Sequence, residues 1–269
     1  MAAAKLWPEA LLSRLEDAGI NASAPPQQRW VDGWLLRYSP GKAKRARCVQ
    51  AVAAGRLALE DRLALCRAVF EEVGLPMMVR ITPFSLPAGL DDALAGRGYT
   101  RLDDTRVMVM AQATGRADAL PPNLRLARLA PTEFADLVGA LRGSPAVQRQ
   151  AQAQRLLASP VPYQAWVLRR ADDAQVLACG QTATEADLVG LYDIFTAPAA
   201  RGQGLARLLC SQLLARAAQA GARTAYLQVE ADNHPARAVY RGLGFSEAYA
   251  YHYRTPSAEH PARPDPAAL

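Results

Sequence analysis

The chain has 269 residues, 51% hydrophobic and 21% charged, which is enough apolar surface for a sizeable core and excludes global disorder. No apolar run approaches the roughly 20 residues that cross a bilayer, and the start Met1-Ala2-Ala3-Ala4-Lys5 lacks the order of a secretory signal, so a cytoplasmic protein with no membrane partner is expected. The net charge of +6 is spread evenly, +3 in residues 1–120 and +3 in residues 121–269, and 28 of the 31 basic residues are arginine; this points to coding composition and away from a nucleic-acid footprint.

In chain order, the basic run Lys42 to Arg47 reads as a solvated loop leading into a strand from Arg47 to Ala53. Trp30, Trp34 and Tyr38 are expected to pack a strand or its edge. A helix follows from Glu60 to Val73, stopped near Gly74, then a strand from Met78 to Thr82, a helix from Leu90 to Ala95 and a strand from Arg106 to Met110. Pro121-Pro122 breaks the pattern and marks a domain boundary. Beyond it come a strand (Leu124–Ala127) and two helices (Thr132–Leu141 and Ala146–Leu157). Two strands (Gln164–Leu168 and Val176–Thr184) turn at Ala171-Asp172-Asp173, and a third runs from Leu188 to Thr196. Regular alternation in that third strand puts Tyr192, Ile194 and Thr196 on one face and Leu191, Asp193 and Phe195 on the other. An amphipathic helix (Leu205–Gln219) is capped at Gly221. A strand (Ala225–Val229), a helix (Pro235–Leu243) closed by Gly244, and a final strand region (Phe245–Tyr253) complete the pattern. Residues 255–269 carry four prolines and read as a disordered tail. Cys48, Cys66, Cys179 and Cys210 lie far apart without CxxC pairs or adjacent histidines, so neither disulfides nor a metal site are expected.

The segment Arg201-Gly202-Gln203-Gly204-Leu205-Ala206 lies between a strand and a helix. A glycine turn lets successive N–H groups converge, and the helix N-terminus adds free donors and a positive dipole end; together they cradle phosphate. The GxGxxG order of a Rossmann turn and the GK[ST] of a P-loop are absent. The run Ile194-Phe195-Thr196-Ala197-Pro198-Ala199-Ala200 ahead of this turn, with the turn itself, resembles the acetyl-CoA signature of the GNAT (Gcn5-related N-acetyltransferase) superfamily. Leu227 to Phe245, with Asn233, Tyr240 and Gly244-Phe245, resembles that family's later motif. The likeness spans about residues 122–254.

The resemblance implies an α/β fold: a mixed, mostly antiparallel sheet flanked by helices, the acyl-CoA N-acyltransferase fold. It implies that Ile194, Phe195 and Thr196 pair with pantetheine. Arg201, Gly202, Gln203, Gly204, Leu205, Ala206 and Arg207 would hold the pyrophosphate, Asn233 would contact the cofactor, and Tyr240 would protonate the departing thiolate. The cofactor would be acetyl-CoA, with CoA as product, and attack would be direct. A glutamate that serves as base in some relatives falls at Gln228, which cannot take a proton. Glu230, on the same strand face, and Asp193 are therefore the candidates for base or substrate anchor. Their other readings are a solvent-facing strand end for Glu230 and a structural ion pair for Asp193. For Tyr240 the alternative is helix-face packing. His234 reads as a cap-region residue, and His252 as either site lining or surface.

Residues 1–120 echo the order of the second half, down to Arg97-Gly98-Tyr99 against Leu243-Gly244-Phe245, but lack the phosphate loop. They are expected to be a degenerate GNAT-like half of a tandem protein, with the acetyltransferase domain at 121–254. The expected function is acetyl-CoA-dependent transfer to a primary amine of a small molecule or peptide, by a monomer or homodimer. The alternatives are a catalytically inactive acyl-CoA sensor and, less in keeping with the even charge, a nucleic-acid binder.

Overall fold

The computed structural model describes residues 7–113 and 116–257. The elements run α1 (Glu9–Ala22), β1 (Gln28–Val31), β2 (Trp34–Arg37), β3 (Val49–Gln50), α2 (Leu59–Glu72), β4 (Val79–Ile81), α3 (Leu90–Ala95) and β5 (Tyr99–Met110). They continue with β6 (Leu124–Leu129), α4 (Pro131–Leu141), α5 (Ala146–Leu157), β7 (Tyr163–Arg170), β8 (Val176–Glu185), β9 (Leu188–Thr196), α6 (Leu205–Gln219), β10 (Thr224–Glu230), α7 (His234–Gly242) and β11 (Ser246–Pro256).

These elements pack as two units. Of the described residues, one unit holds 7–26, 40–42 and those within 105–250; the other holds 27–39, 43–104 and 251–257. Both units contain the same succession. In the second, β1, β2 and β3 form an antiparallel meander, α2 crosses over, and β4 returns parallel to β3. In the first, β7, β8 and β9 form the meander, α6 crosses over, and β10 returns parallel to β9. A short helix follows each returning strand: α3 after β4 and α7 after β10. The closing strands are exchanged. β4 has β11 as its antiparallel neighbour, and β10 has β5. The units thus interleave along the sequence, whereas the Pro121-Pro122 break suggested a single division. The helix α1, which the sequence reading left unassigned, also belongs to the first unit and buries Leu15, Ala18 and Ala22 against Val109, Leu188, Tyr192 and Tyr226.

In the first unit α6 packs one face of the sheet through Leu205, Leu209 and Leu213, against Val189, Leu191 and Leu227. On the other face Phe134 and Val138 of α4 meet Val167 and Cys179. In the second unit Trp34, Val49, Phe70 and Val79 form a separate core. All four cysteines are buried and free.

Several expectations change in detail. The strand predicted over Arg47–Ala53 is only Val49–Gln50, and the basic run before it is not simply solvated: Ala46 is buried, Lys44 pairs with Asp103, and Arg45 donates to the Tyr251 hydroxyl (3.2 Å). Trp34 is fully buried, but Trp30 stands exposed on β1. β11 runs through Thr255 and Pro256; Thr255 is buried and its hydroxyl donates to the Met77 carbonyl (2.9 Å). The tail reading thus fails at 255 and 256, and residues 258–269 lie outside the described residues.

The strand faces of β9 also change. Cys179 pairs with Phe195 but Gln181 pairs with Tyr192, so Asp193 and Ile194 together oppose the single residue Gly180. Asp193 sits at φ +51°, and this β-bulge resets the alternation. Ile194 packs with the α6-side core, whereas Tyr192 packs with α1 and Phe195 with α4. Just upstream, a Cβ at Gly190 would lie 2.4 Å from Tyr192 Cε2 and 2.7 Å from Tyr226 Cζ, and those two hydroxyls are hydrogen-bonded at 2.9 Å. Gly190→Ala is expected to destabilise the protein by about 1–3 kcal/mol through overpacking. Urea unfolding followed by circular dichroism measures this; an unshifted midpoint would mean the tyrosine pair yields freely.

Candidate active site

The parallel ladder of β9 and β10 ends at Leu191 opposite Leu227. Beyond that point β9 continues to Thr196 beside β8 alone, and β10 continues to Glu230 beside β5. The backbone of Ile194 to Thr196 therefore has no β10 partner, which leaves an open strand edge leading to the glycine turn. There Gly202 and Gly204 adopt left-handed φ values of +76° and +74°, and nothing lies within 4 Å of the Cβ position at either. Gly204 is the N-cap of α6, with no side chain capping the helix. The first N–H groups of α6 thus lack side-chain acceptors, and the dipole end adds positive potential.

A cavity of about 780 Å³ joins these features. Ile194, Phe195, Thr196, Arg201, Gly202, Gly204, Leu205, Ala206, Arg207, Asn233 and Tyr240 all line it, so eleven of the residues picked from sequence converge there. Among the described residues the Arg201 guanidinium has no hydrogen-bond or ion-pair partner; its backbone N–H donates to the Pro198 carbonyl (3.3 Å). Arg207 is oriented by the Gly242 carbonyl (2.7 Å) and by Asp118 (3.4 Å). Asn233 caps α7, its Oδ1 accepting from the Ala236 N–H (3.2 Å), which leaves the amide nitrogen for other partners. These donors and the open turn fit a diphosphate, the acidic part of a CoA-type cofactor.

Tyr240 comes from α7, is 9% exposed, and stacks edge-on to Phe245 at 6.1 Å. No hydrogen bond among the described residues uses its hydroxyl. Burial, with Cys210 nearby, pushes the phenol above its ordinary range, so it stays protonated at neutral pH.

Three expected residues lie outside the lining, and so does Gln228. Gln203 is exposed and donates back to the Ala199 carbonyl at 3.5 Å. Glu230 is exposed at the end of β10. Gln228, whose amide nitrogen would meet a Cβ at Gly19 at 2.8 Å, lies against α1. Asp193 is the main correction. Its carboxylate accepts from Arg142 Nη1 (2.8 Å), Gln181 Nε2 (2.8 Å) and Gln152 Nε2 (3.1 Å). Burial pushes its pKa up, but Arg142 and Arg155, with the bonds from Arg142 and Gln181, outweigh burial and hold the group below the usual carboxylate range. A carboxylate so engaged is a structural anion that pins the bulge, not a base for an incoming amine. The histidines also settle: His234 begins α7 and is exposed, while His252 is buried and paired with Asp91 at 2.9 Å.

Because the folded pKa of Asp193 is lowered, its stabilising contribution is complete above the unfolded value of about 3.9 and is lost as pH falls through the lower folded value. Asp193→Asn is expected to cost about 1–3 kcal/mol at neutral pH, with the gap to wild type closing as pH falls through the lowered folded pKa. Urea midpoints measured against pH test this; a gap that persists in acid would remove the charge from the explanation.

The sequence reading missed Arg142, which lines the cavity from the end of α4 and lies 5.6 Å from the Phe195 ring. An arginine before Gly143 at a helix C-terminus reads as an ordinary dipole partner, so only the fold shows its position. Pro235, Ala236 and Val239 of α7 were missed as lining for the same reason.

The family described as "Probable histone acetyltransferase Rv0428c C-terminal" matches residues 10–254. The chain belongs to this family, within the GNAT N-acetyltransferases. This GNAT protein is 28% identical over 242 residues to the protein described as "Uncharacterized N-acetyltransferase YobR" of Bacillus subtilis (strain 168), covering 84% of the chain and 91% of that relative. Among solved structures, a GCN5-related N-acetyltransferase from Kribbella flavida superposes with a TM-score of 0.66 at 15% identity, over 91% of this chain and 95% of that one. A tandem GNAT protein from the clavulanic acid biosynthesis pathway gives 0.63 at 16% identity, over 80% and 76%. At such identities the likeness is one of fold: a mixed sheet flanked by helices. GNAT acetyltransferases use acyl-CoA and an acceptor, and among the described residues no helix is long and apolar enough to cross a membrane.

Proposed function

We propose that this enzyme moves the acetyl group of acetyl-CoA directly to a primary amine of a small molecule or peptide. The observation that carries the reading is the single cavity in which the open glycine cradle, the unpaired edge of β9 and the Tyr240 phenol meet. Acetyl-CoA, when bound, supplies an activated acyl thioester.

The chain's residues divide the remaining work. The turn Gly202 to Ala206, with Arg201 and Arg207, would hold the diphosphate through N–H groups and charge. The free backbone edge at Ile194 to Thr196 would align the pantetheine as an added strand. Tyr240, protonated and buried, holds a proton at Oη for a leaving thiolate. A covalent relay through cysteine has little support: burial raises the Cys179 and Cys210 thiols to about 12, so neither offers a thiolate at neutral pH. The cavity lining contains no carboxylate or imidazole among the described residues. In this reading the amine's proton leaves through water, and Glu230, at the exposed end of β10, serves as an anchor for a cationic acceptor.

The test is to follow free thiol during incubation with acetyl-CoA and a panel of small amines and peptides. Amine-dependent thiol release is expected. Coenzyme binding without release across a broad panel would mean that the chain is a sensor.

A further inference from the structure

The repeated strand–helix–strand succession offers two positions for a phosphate cradle, one ahead of α6 and one ahead of α2. They differ in one respect. Ahead of α6, the Cβ positions of Gly202 and Gly204 face open space. Ahead of α2, Gly55 has a similar left-handed φ of +70°, but a Cβ there would fall 2.4 Å from Asp32 Oδ2 and 2.4 Å from Arg62 Nη2.

The Asp32 carboxylate occupies the second position. It accepts from the Arg56 N–H (2.9 and 3.0 Å to its two oxygens), from the Leu57 N–H (2.9 Å) and from Arg62 Nε (2.9 Å). Converging backbone donors and a guanidinium are the partners a phosphate takes at such a turn. Arg62 is itself only 3% exposed, and its Nη2 donates to the Leu57 carbonyl (3.0 Å), which fixes the fork. Asp32 is delivered by the β1–β2 hairpin, where Asp32 and Gly33 both have positive φ (+41° and +81°), the conformation of a tight two-residue turn.

We infer that the second unit retains an anion cradle that the chain's own Asp32 fills, so that each chain holds one coenzyme and not two. The count of one rests on the coenzyme reading above; the filled cradle does not. This explains why a unit with the same succession of elements lacks a cofactor site: the donors persist, and an internal carboxylate occupies them.

Two measurements decide it. Native mass spectrometry of the full chain with CoA is expected to show one CoA per chain, and none for Gly204→Asp. Two per chain would overturn the inference; none in the wild type, or one retained by Gly204→Asp, would instead overturn the coenzyme reading. The second measurement uses inorganic pyrophosphate in the Gly204→Asp background, where the first cradle is blocked. Adding Asp32→Gly, which keeps the turn's backbone freedom, removes the carboxylate and leaves Arg62 buried without its partner. Pyrophosphate is expected to raise the melting temperature of this double variant by about 3 °C more than that of Gly204→Asp alone. Equal responses would overturn the filled cradle. If the double variant does not fold, Asp32→Asn, which keeps the turn and one acceptor oxygen, takes its place with the same expected order of responses.

Discussion

Gly204→Asp is expected to weaken CoA binding at least about 100-fold, close to 3 kcal/mol. Two effects act together. The backbone at 204 has φ +74°, a conformation that costs a residue with a side chain about 1–2 kcal/mol, although aspartate tolerates it better than most. The larger effect is electrostatic. The space beside Gly204 is open, so the new carboxylate can turn into the cradle, take the N–H donors and repel the diphosphate. Gly204→Ala separates the two effects: it keeps the backbone strain without the charge, and a loss of no more than about tenfold is expected from strain alone. Isothermal calorimetry with CoA reads both variants. If Gly204→Asp bound within about twofold of wild type, the diphosphate would not lie in this turn.

Tyr240→Phe is expected to lower kcat on the order of 100-fold while leaving the dissociation constant of CoA within about twofold. The ring would still pack against Phe245 and the α6 core, so the fold and the cavity wall persist. What is lost is the phenol proton of the one tyrosine that lines the cavity among the described residues. A fall in kcat with binding unchanged marks a group that acts during the chemical step. An unchanged rate would reduce the tyrosine to packing, which was the other reading of its position on the helix face.

Much of the site could be read from the order of residues. Glycines at 202 and 204 between a strand and a helix imply a turn with converging N–H groups whatever surrounds it, because the conformation and the helix end are local. Asn233, Tyr240 and Gly244-Phe245 are likewise spaced by the geometry of one helix. The helices α5 and α6 and the strand β9 have the predicted bounds, since their apolar periodicity is itself the reason they form.

Other features escaped because they depend on what lies across the fold. A regular alternation is the correct local reading of residues 188–196, but the bulge at Asp193 and Ile194 exists because Arg142, Gln152 and Gln181 converge on one carboxylate from three other elements. Arg142 was invisible as a lining residue for the same reason. The exchange of β5 and β11 is also non-local. Each strand has the pattern of a closing strand, and nothing in that pattern says which returning strand it will pair with.

The amino-acid order alone determined the local features: a glycine turn with converging N–H groups ahead of a helix, a phenol on a later helix, and free thiols too scattered to pair. The tertiary structure decided which carboxylates are free. Asp193 became a clamp and Asp32 a plug because charged groups distant in sequence meet them at hydrogen-bond distance, and the cost of burying a charge is met only by such partners.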